Sequence, residues 1–208
     1  PYVYQGEELG MTNVRFDSIE QYQDIEIRNM YRERLEKGYA EKDIMESIYA
    51  KGRDNARTPM QWDDTENAGF TTGTPWLGVN PNYTEINARS QLQDENSVFH
   101  YYKKLIHLRK ENSIFVDGDF TLLLPEDENI FAYVREYEGR KLLVAANFTD
   151  KEVECPLLKE WGVPADEDGA AKSRDNGVKL LIHNYNDLPS QQKLRPYEAM
   201  IWEKAETG

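Results

Sequence analysis

The chain lacks several features that mark whole classes of protein. It has one cysteine, Cys155, which excludes an internal disulfide and fits a reducing compartment such as the cytoplasm. Basic residues are in the minority, since 25 Lys and Arg stand against 38 Asp and Glu, and the formal net charge is −13. The sequence has neither a basic run nor an apolar run long enough to cross a bilayer. This argues against nucleic-acid and membrane partners and suits a soluble protein with neutral ligands.

The length and the first residues of the chain indicate whether it is a whole protein or a fragment. A chain of 208 residues can hold one large domain or two small ones. Residues 2–5 are mostly apolar and are followed by Gly6, a pattern typical of a short strand that ends in a turn. Because a domain rarely begins inside its own strand, we interpret the chain as a fragment of a longer protein.

Helical spacing of apolar residues dominates the first half of the chain. Ser18 and Gln21 have the capping-box pattern of a helix start, and Gly52 follows a second helical run. Asn96 and Ser97 are both good N-cap residues for a later helix. The sequence therefore predicts four helices, at residues 18–37, 41–51 and 88–93 and from about residue 96 or 97 to residue 109.

After residue 112 the pattern changes to short strands. Glu138 and Gly139 lie between two apolar runs, which predicts a β-hairpin. No helix-length periodic run follows Arg109, and the acidic, Gly-containing stretch 166–177 is typical of a surface loop. The predicted strands cover residues 120–124, 129–137, 141–148, 152–155, 178–183 and 197–203. They indicate a small antiparallel β-domain whose boundary lies near residue 113.

Side chains that are suited to a ligand-binding pocket are concentrated in residues 51–63. This stretch places Arg53 and Arg57 four residues apart and ahead of Trp62. The planar fork of an arginine suits hydroxyl and carboxylate oxygens, and an aromatic ring beside it is common in sugar pockets. The alternative is that both arginines are buried salt-bridge partners beneath a long loop. Residue types alone leave both interpretations open.

The order of the residues adds a resemblance to a known family. The string GRDNARTPMQWDD, followed by AGFTTGTPWLGVNPNY, closely resembles the loop after the eighth barrel strand of bacterial oligo-1,6-glucosidases, in the α-amylase superfamily of glycoside hydrolases. PYVYQGEELGMTNVRF resembles that strand and its following turn, and LRPYEAMIWE resembles the last strand of the C-terminal β-domain. The resemblance implies the C-terminal piece of a (β/α)8 TIM barrel at residues 1–113, then a small antiparallel β-sandwich domain at 114–208.

The resemblance also implies an activity, but for a longer protein. It points to a retaining, exo-acting α-glucosidase that removes terminal α-1,6-linked glucose from isomalto-oligosaccharides with water and no cofactor. The catalytic carboxylates of this family come from earlier barrel strands, and none of their motifs occurs here. We therefore assign no catalytic residue, and we expect the fragment to be inactive without the missing N-terminal barrel portion. No clustered Asp or Asn loop indicates a metal site.

Four residues have expected roles at the substrate site. Arg53 matches the family arginine that reaches the glucosyl unit at the non-reducing end. Glu26 lies in DIE, a segment resembling the stretch that lines the aglycone side, where a carboxylate accepts sugar hydroxyls. Arg57 is expected to support the site structurally, and we expect Glu8 to be its buried partner.

Other functions remain open at this point. The sibling specificities of dextran glucosidase, trehalose-6-phosphate hydrolase and sucrose isomerase share similar arginine loops. A different class of function, a noncatalytic carbohydrate-binding or interaction module, is also compatible with the β-domain. Retention of Arg53 favours an enzyme, because a homologue without catalysis has no need of a pocket arginine.

Overall fold

The structure is a computed structural model, and it describes residues 2–163, 177–187 and 192–205. Contacts within the chain divide it into two compact units, residues 1–102 and residues 103–208. Six α-helices and seven strands are present in the described part. The helices are α1 Ile25–Glu36, α2 Glu41–Lys51, α3 Ala88–Gln93, α4 Val98–Glu111, α5 Ile114–Asp117 and α6 Pro156–Trp161. The strands are β1 Asp119–Leu123, β2 Ile130–Tyr137, β3 Arg140–Asn147, β4 Val153–Glu154, β5 Val178–His183, β6 Lys193–Leu194 and β7 Ala199–Ala205.

The core of the first unit lies between α1, α2 and the loops that flank them. Helix α2 has the bounds that its sequence predicts, and Gly52 is its C-cap. Its spacing of three and four residues puts the apolar side chains on one buried face, opposite a polar face. The buried residues of this core are Val14, Phe16, Tyr22, Ile27, Ile44, Met45, Ile48 and Leu77.

The prediction of a strand at residues 2–5 is wrong. Residues 2–4 have no regular structure, and Tyr2, Val3 and Tyr4 are exposed. A strand needs a neighbouring strand to pair its backbone groups, and the described residues of the first unit contain none. The backbone of Tyr4 bonds locally instead, because its N–H donates to the Glu7 carboxylate and its carbonyl accepts from the Glu7 N–H.

The first helix begins later than predicted. Ser18 and Gln21 enclose only one 3₁₀ turn, Ile19–Gln21, and α1 begins at Ile25 with Asp24 as its N-cap. The Asp24 carboxylate accepts a hydrogen bond from the Glu26 N–H at 2.7 Å. The N–H groups of Gln23 and Asp24 are taken by the Asp54 carboxylate, so they lie outside any helical ladder. A long-range carboxylate thus decides where this helix starts.

The next helices agree with the sequence. Helix α3 is capped by the Asn87 side chain, which accepts from the Ser90 N–H at 2.9 Å. Helix α4 starts at Val98, directly after Ser97, as its N-cap pattern predicts. Between residues 53 and 84 the chain forms only 3₁₀ turns and loops, at Arg53–Ala56, Glu66–Gly69 and Pro81–Thr84.

The second unit is built on an antiparallel sheet. Its five strands lie in the order β1-β2-β3-β7-β5, and β4 and β6 form a separate pair. Every pairing is antiparallel, as predicted for this domain. Glu138 and Gly139 connect β2 to β3 with φ values of 49° and 75°, the left-handed geometry of a tight hairpin turn.

Three short elements of this unit were not predicted. Helices α5 and α6 contradict the expectation that no helix follows Arg109, and β6 was missed. Each has six residues or fewer, too short for an apolar period to be recognised. The surface loop predicted at 166–177 lies almost wholly outside the described residues.

One face of the sheet carries the core of the second unit, together with α6 and the β4–β6 pair. Cys155 is fully buried in it, which agrees with a packing role, and burial raises the pKa of its thiol. The buried core residues are Ile130, Ala132, Val134, Leu143, Ala145, Cys155, Leu157, Leu158, Val163, Leu194, Met200 and Trp202.

Candidate functional site

Arg53 and Arg57 converge on one buried carboxylate. Arg53 opens the 3₁₀ turn that follows Gly52, and Arg57 is the residue that ends it. The Arg53 guanidinium meets Asp24 through two donors, Nε at 2.7 Å and Nη2 at 2.9 Å. Arg57 adds a third charged contact, from Nη1 to Asp24 Oδ2 at 2.8 Å. A single carboxylate therefore holds both arginines of the GRDNAR string.

A second carboxylate lies beneath the first. Asp54 is fully buried, and its Oδ2 accepts the backbone N–H groups of Gln23 at 2.7 Å and Asp24 at 2.9 Å. Its Oδ1 lies 3.5 Å from Arg57 Nη1. Asp54 therefore fixes the backbone that carries Asp24. Together Asp24, Glu26, Arg53, Asp54 and Arg57 form the Arg53 cluster.

The exposure of these side chains is uneven. The Asp24 side chain is 1% exposed, while those of Arg53 and Arg57 are 51% and 41% exposed. The salt-bridge alternative is thus half right, because both arginines are paired but neither is buried. In the described part of the chain, the Nη1 group of Arg53 has no hydrogen-bond partner, so one edge of its fork remains available.

The electrostatics keep the cluster charged. Hydrogen bonds from Arg53 hold the pKa of the Asp24 carboxyl well below its usual range, although burial acts in the opposite direction. The same contact raises the pKa of Arg53. Two cations and three carboxylates leave no excess of positive charge, so the cluster suits neutral hydroxyl groups better than a free anion.

Glu26 lies beside Arg53 at the surface of the cluster. Its carboxylate is 3.1 Å from Arg53 Nη2, and its side chain is 75% exposed. An exposed ion pair of this kind is held weakly. Both groups are therefore accessible to a ligand that offers hydroxyls.

The expected pairing of Glu8 with Arg57 is wrong. Arg57 pairs instead with Asp24 at 2.8 Å and with Asp54 at 3.5 Å. Glu8 is half-buried, and its Oε2 has no hydrogen-bond partner among the described residues. The sequence placed Glu8 in a turn correctly, but residue order did not show that Arg57 would pair with Asp24 and Asp54.

A cleft of about 400 Å³ lies between residues 4–13 and 50–58. The Tyr4 hydroxyl donates to the Ala56 carbonyl at 2.8 Å, which ties the first residues to the arginine loop. The polar side chains that line the cleft include Glu7, Asn13 and Asn55. Asn13 is fixed by the Tyr49 carbonyl at 2.9 Å. The two segments identified by resemblance are thus neighbours in space.

Asp24 and Asp54 are the site residues that sequence reasoning missed. Two signals could have found them. Asp is a favoured N-cap, and Asp24 precedes a run with helical spacing, but Ser18 offered a competing start. Asp54 lies three residues before Arg57, close enough for a local ion pair.

The described residues offer no metal site and no membrane-spanning helix. They contain no group of three or more His, Cys, Asp or Glu side chains placed to hold a metal ion. None of their helices combines the length and the apolar character that a bilayer crossing requires.

Family models match both halves of the chain. The model of the α-amylase catalytic domain matches residues 1–118, and that of the maltogenic amylase C-terminal domain matches residues 120–166.

Known proteins match over the whole chain but are much longer. The oligo-1,6-glucosidase of Bacillus cereus is 54% identical over 206 residues, which are 97% of this chain and 35% of that protein. The oligo-1,6-glucosidase of Halalkalibacterium halodurans is 51% identical, with the same coverage. The crystal structure of Bacillus licheniformis trehalose-6-phosphate hydrolase superposes with a TM-score of 0.84 at 46% identity, covering 99% of this chain and 36% of that one. The chain therefore spans about a third of the length of these relatives.

Proposed function

Because the chain belongs to the α-amylase family of glycoside hydrolases, we propose that it is the C-terminal part of a retaining, exo-acting α-glucosidase. The complete enzyme would release terminal α-1,6-linked glucose from isomalto-oligosaccharides. The similarity to two oligo-1,6-glucosidases supports this substrate class. We further propose a cytoplasmic location, which the single cysteine supports.

The division into domains is part of the proposal. Residues 1–113 would complete the catalytic barrel, and residues 114–208 would form the C-terminal β-domain. The two family models, which meet between residues 118 and 120, support a change of domain in this region. The catalytic carboxylates would lie in the preceding barrel portion, and this chain would supply binding residues.

One observation carries the proposal, namely the edge of Arg53 that has no partner among the described residues. Its Nη1 group bears two N–H donors, which can reach two neighbouring hydroxyls of a terminal sugar. Asp24 balances the charge of the guanidinium from behind, so the site favours neutral hydroxyls. Glu26 would accept a hydroxyl on the aglycone side, while Arg57 would support the site. An end-on contact of this kind favours removal of single terminal units.

The second candidate is trehalose-6-phosphate hydrolysis. The structural similarity to such an enzyme at 46% identity supports it. The balance of two cations by three carboxylates in the Arg53 cluster weighs against it, because a phosphate gains little there.

The test uses the intact enzyme from which the chain derives, identified by its mass. Hydrolysis of p-nitrophenyl α-glucoside, isomaltose and trehalose 6-phosphate is measured for wild type, Arg53→Ala and Arg15→Ala. We expect isomaltose to be the better natural substrate, and Arg53→Ala to lower kcat/KM about ten- to a hundredfold.

Arg15→Ala is the matched control. It also removes an arginine, but one whose exposed ion pair with Glu46 lies outside the Arg53 cluster. We expect it to keep wild-type kcat/KM. Turnover of trehalose 6-phosphate alone would favour the second candidate. Absence of turnover in an intact protein would favour a noncatalytic sugar-binding role.

A further inference from the structure

We propose that Asp24 is a positioning residue that holds the guanidinium of Arg53 in its binding orientation. This inference rests on the proposed function, in which Arg53 binds the terminal sugar. Asp24 does not itself offer an oxygen to the ligand, because its side chain is almost completely buried beneath the two arginines. It would act on substrate binding only through Arg53.

The geometry of the contact sets the orientation. Arg53 donates Nε to one oxygen of Asp24 and Nη2 to the other, a two-point contact that fixes the plane of the guanidinium. With these two donors occupied, the group left over is Nη1, on the opposite edge of the fork. A single-point contact would let the plane rotate about the hydrogen bond. The paired contact therefore decides which N–H groups are presented.

Asp24 is itself held at two points, its carboxylate and its backbone N–H. Its Oδ1 accepts from the Glu26 N–H at 2.7 Å, at the first turn of α1. The backbone N–H of Asp24 donates to Asp54 Oδ2 at 2.9 Å. Asp54 is fully buried, so this support is shielded from water. Asp24 is consequently a rigid reference point for a side chain that is otherwise half-exposed.

Arg57 explains why the negative charge is needed. Its Nη1 and the Nε of Arg53 both contact Asp24 Oδ2, at 2.8 and 2.7 Å. Without the carboxylate charge, two guanidinium groups would face each other at close range and repel. A neutral side chain at position 24 would therefore displace Arg53, the more exposed of the two.

A double-mutant cycle in the intact enzyme tests the inference. The variants are Asp24→Asn, Arg53→Ala and the double variant, and kcat and KM for p-nitrophenyl α-glucoside are measured separately. We expect each single change to lower kcat/KM about ten- to a hundredfold, with the same division between KM and kcat. If Asp24 acts through Arg53, Asp24→Asn should have no further effect when Arg53 is already alanine.

The double-mutant cycle distinguishes failure of the positioning role of Asp24 from failure of the proposed sugar-binding role of Arg53. Additive losses in the double variant would overturn the positioning role of Asp24, while the loss in Arg53→Ala would still support sugar binding by Arg53. Wild-type kcat/KM in Arg53→Ala would overturn the proposed role of Arg53, and with it this inference.

A second variant tests the inference even if Asp24→Asn does not fold. Arg53→Lys keeps the positive charge at a half-exposed position but cannot make the two-point contact with Asp24. We expect it to lose most of the kcat/KM that Arg53→Ala loses. Wild-type kcat/KM in Arg53→Lys, beside a loss in Arg53→Ala, would contradict the inference, because charge alone would then suffice.

Discussion

Each unit of the molecule contains a cluster of arginine and carboxylate groups. The two clusters differ in how many N–H donors of the central arginine have hydrogen-bond partners. In the Arg53 cluster, the guanidinium of Arg53 is half-exposed and keeps its Nη1 edge free of partners in the described chain. The second is the Arg195 cluster, in the β-domain, formed by His183, Tyr185, Asp187, Arg195 and Glu198.

In the Arg195 cluster, all three nitrogens of the guanidinium have hydrogen-bond partners. Nε and Nη2 of Arg195 both donate to Glu198 Oε1, at 3.1 and 2.6 Å, and Nη1 donates to Asp187 at 2.8 Å. The guanidinium lies over the Tyr185 ring at 3.9 Å. Glu198 is completely buried and also meets His183 Nε2 at 2.6 Å. Every donor nitrogen of this arginine is satisfied within the fold.

The difference agrees with a structural role for Arg195 and with the proposed binding role of Arg53. Both clusters pair a buried carboxylate with an arginine, so pairing does not by itself distinguish their roles. What differs is the residual donor capacity and the exposure, since Arg195 is 22% exposed and Arg53 is 51% exposed. We therefore expect changes in the Arg195 cluster to affect stability, and changes in the Arg53 cluster to affect kcat/KM.

The largest expected effect on stability is that of Glu198→Gln. It leaves Arg195 and His183 beside a neutral amide in a buried site, and breaking a buried ion pair costs about 3–5 kcal/mol. Thermal or denaturant unfolding of the intact enzyme would measure the loss. Glu136→Gln, which removes an exposed partner of Lys141, is the control and should change the free energy of unfolding by less than about 1 kcal/mol. Equal effects of the two changes would contradict the comparison.

A smaller effect follows from acidification. Burial raises the pKa of Glu198, but hydrogen bonds from His183 and Arg195 outweigh it and lower the pKa to about 2, from 4.5. Because the folded-state pKa is depressed, its stabilisation is complete above pH 4.5 and is lost as the pH falls towards 2. We expect Glu198 to contribute about 3 kcal/mol to this loss.

Denaturant unfolding measured across this pH window would check the contribution. Glu198→Gln should show a shallower loss of stability than wild type between pH 4.5 and 2. Parallel curves for the two proteins would show that the carboxylate of Glu198 is not the group responsible.

The smallest expected effect on stability is that of Glu26→Gln. This exposed carboxylate contacts Arg53 at 3.1 Å, and exposed ion pairs contribute little to folding. We expect no measurable change in melting temperature, but a change in kcat/KM for isomaltose that is absent for p-nitrophenyl α-glucoside, whose aglycone offers no sugar hydroxyls. A large fall in melting temperature would place Glu26 with the structural residues instead.

Much of the fold could be predicted from local patterns. Helix α2 has its predicted bounds because its apolar spacing and the glycine after it act within a few residues. The hairpin at Glu138 and Gly139 was predicted for the same reason. The short helix α6 and strand β6 were not, because segments of this length do not carry a readable period.

The errors at the start of the chain have a different cause. The apolar character of residues 2–5 is that of a strand, but strand formation depends on a partner that the local sequence does not supply. The start of α1 was misplaced because Asp54, thirty residues away, takes the N–H of Asp24. Neither outcome depends on the residues nearest to it.

The candidate site divides in the same way. The family, the arginine loop and the position of Arg53 follow from the order of residues, since long motifs are specific without any knowledge of contacts. The identity of the carboxylate that holds Arg53 does not follow from it, because Glu8, Asp24 and Asp54 are equally plausible partners in one dimension. Folding brings the N-cap of α1 under the arginine loop, and this long-range contact makes Asp24 the partner. It leaves Nη1 of Arg53 without a partner among the residues that the structure describes. A hydrogen bond requires two groups to be close in space. For residues far apart in sequence, that distance is known only once the tertiary structure is known.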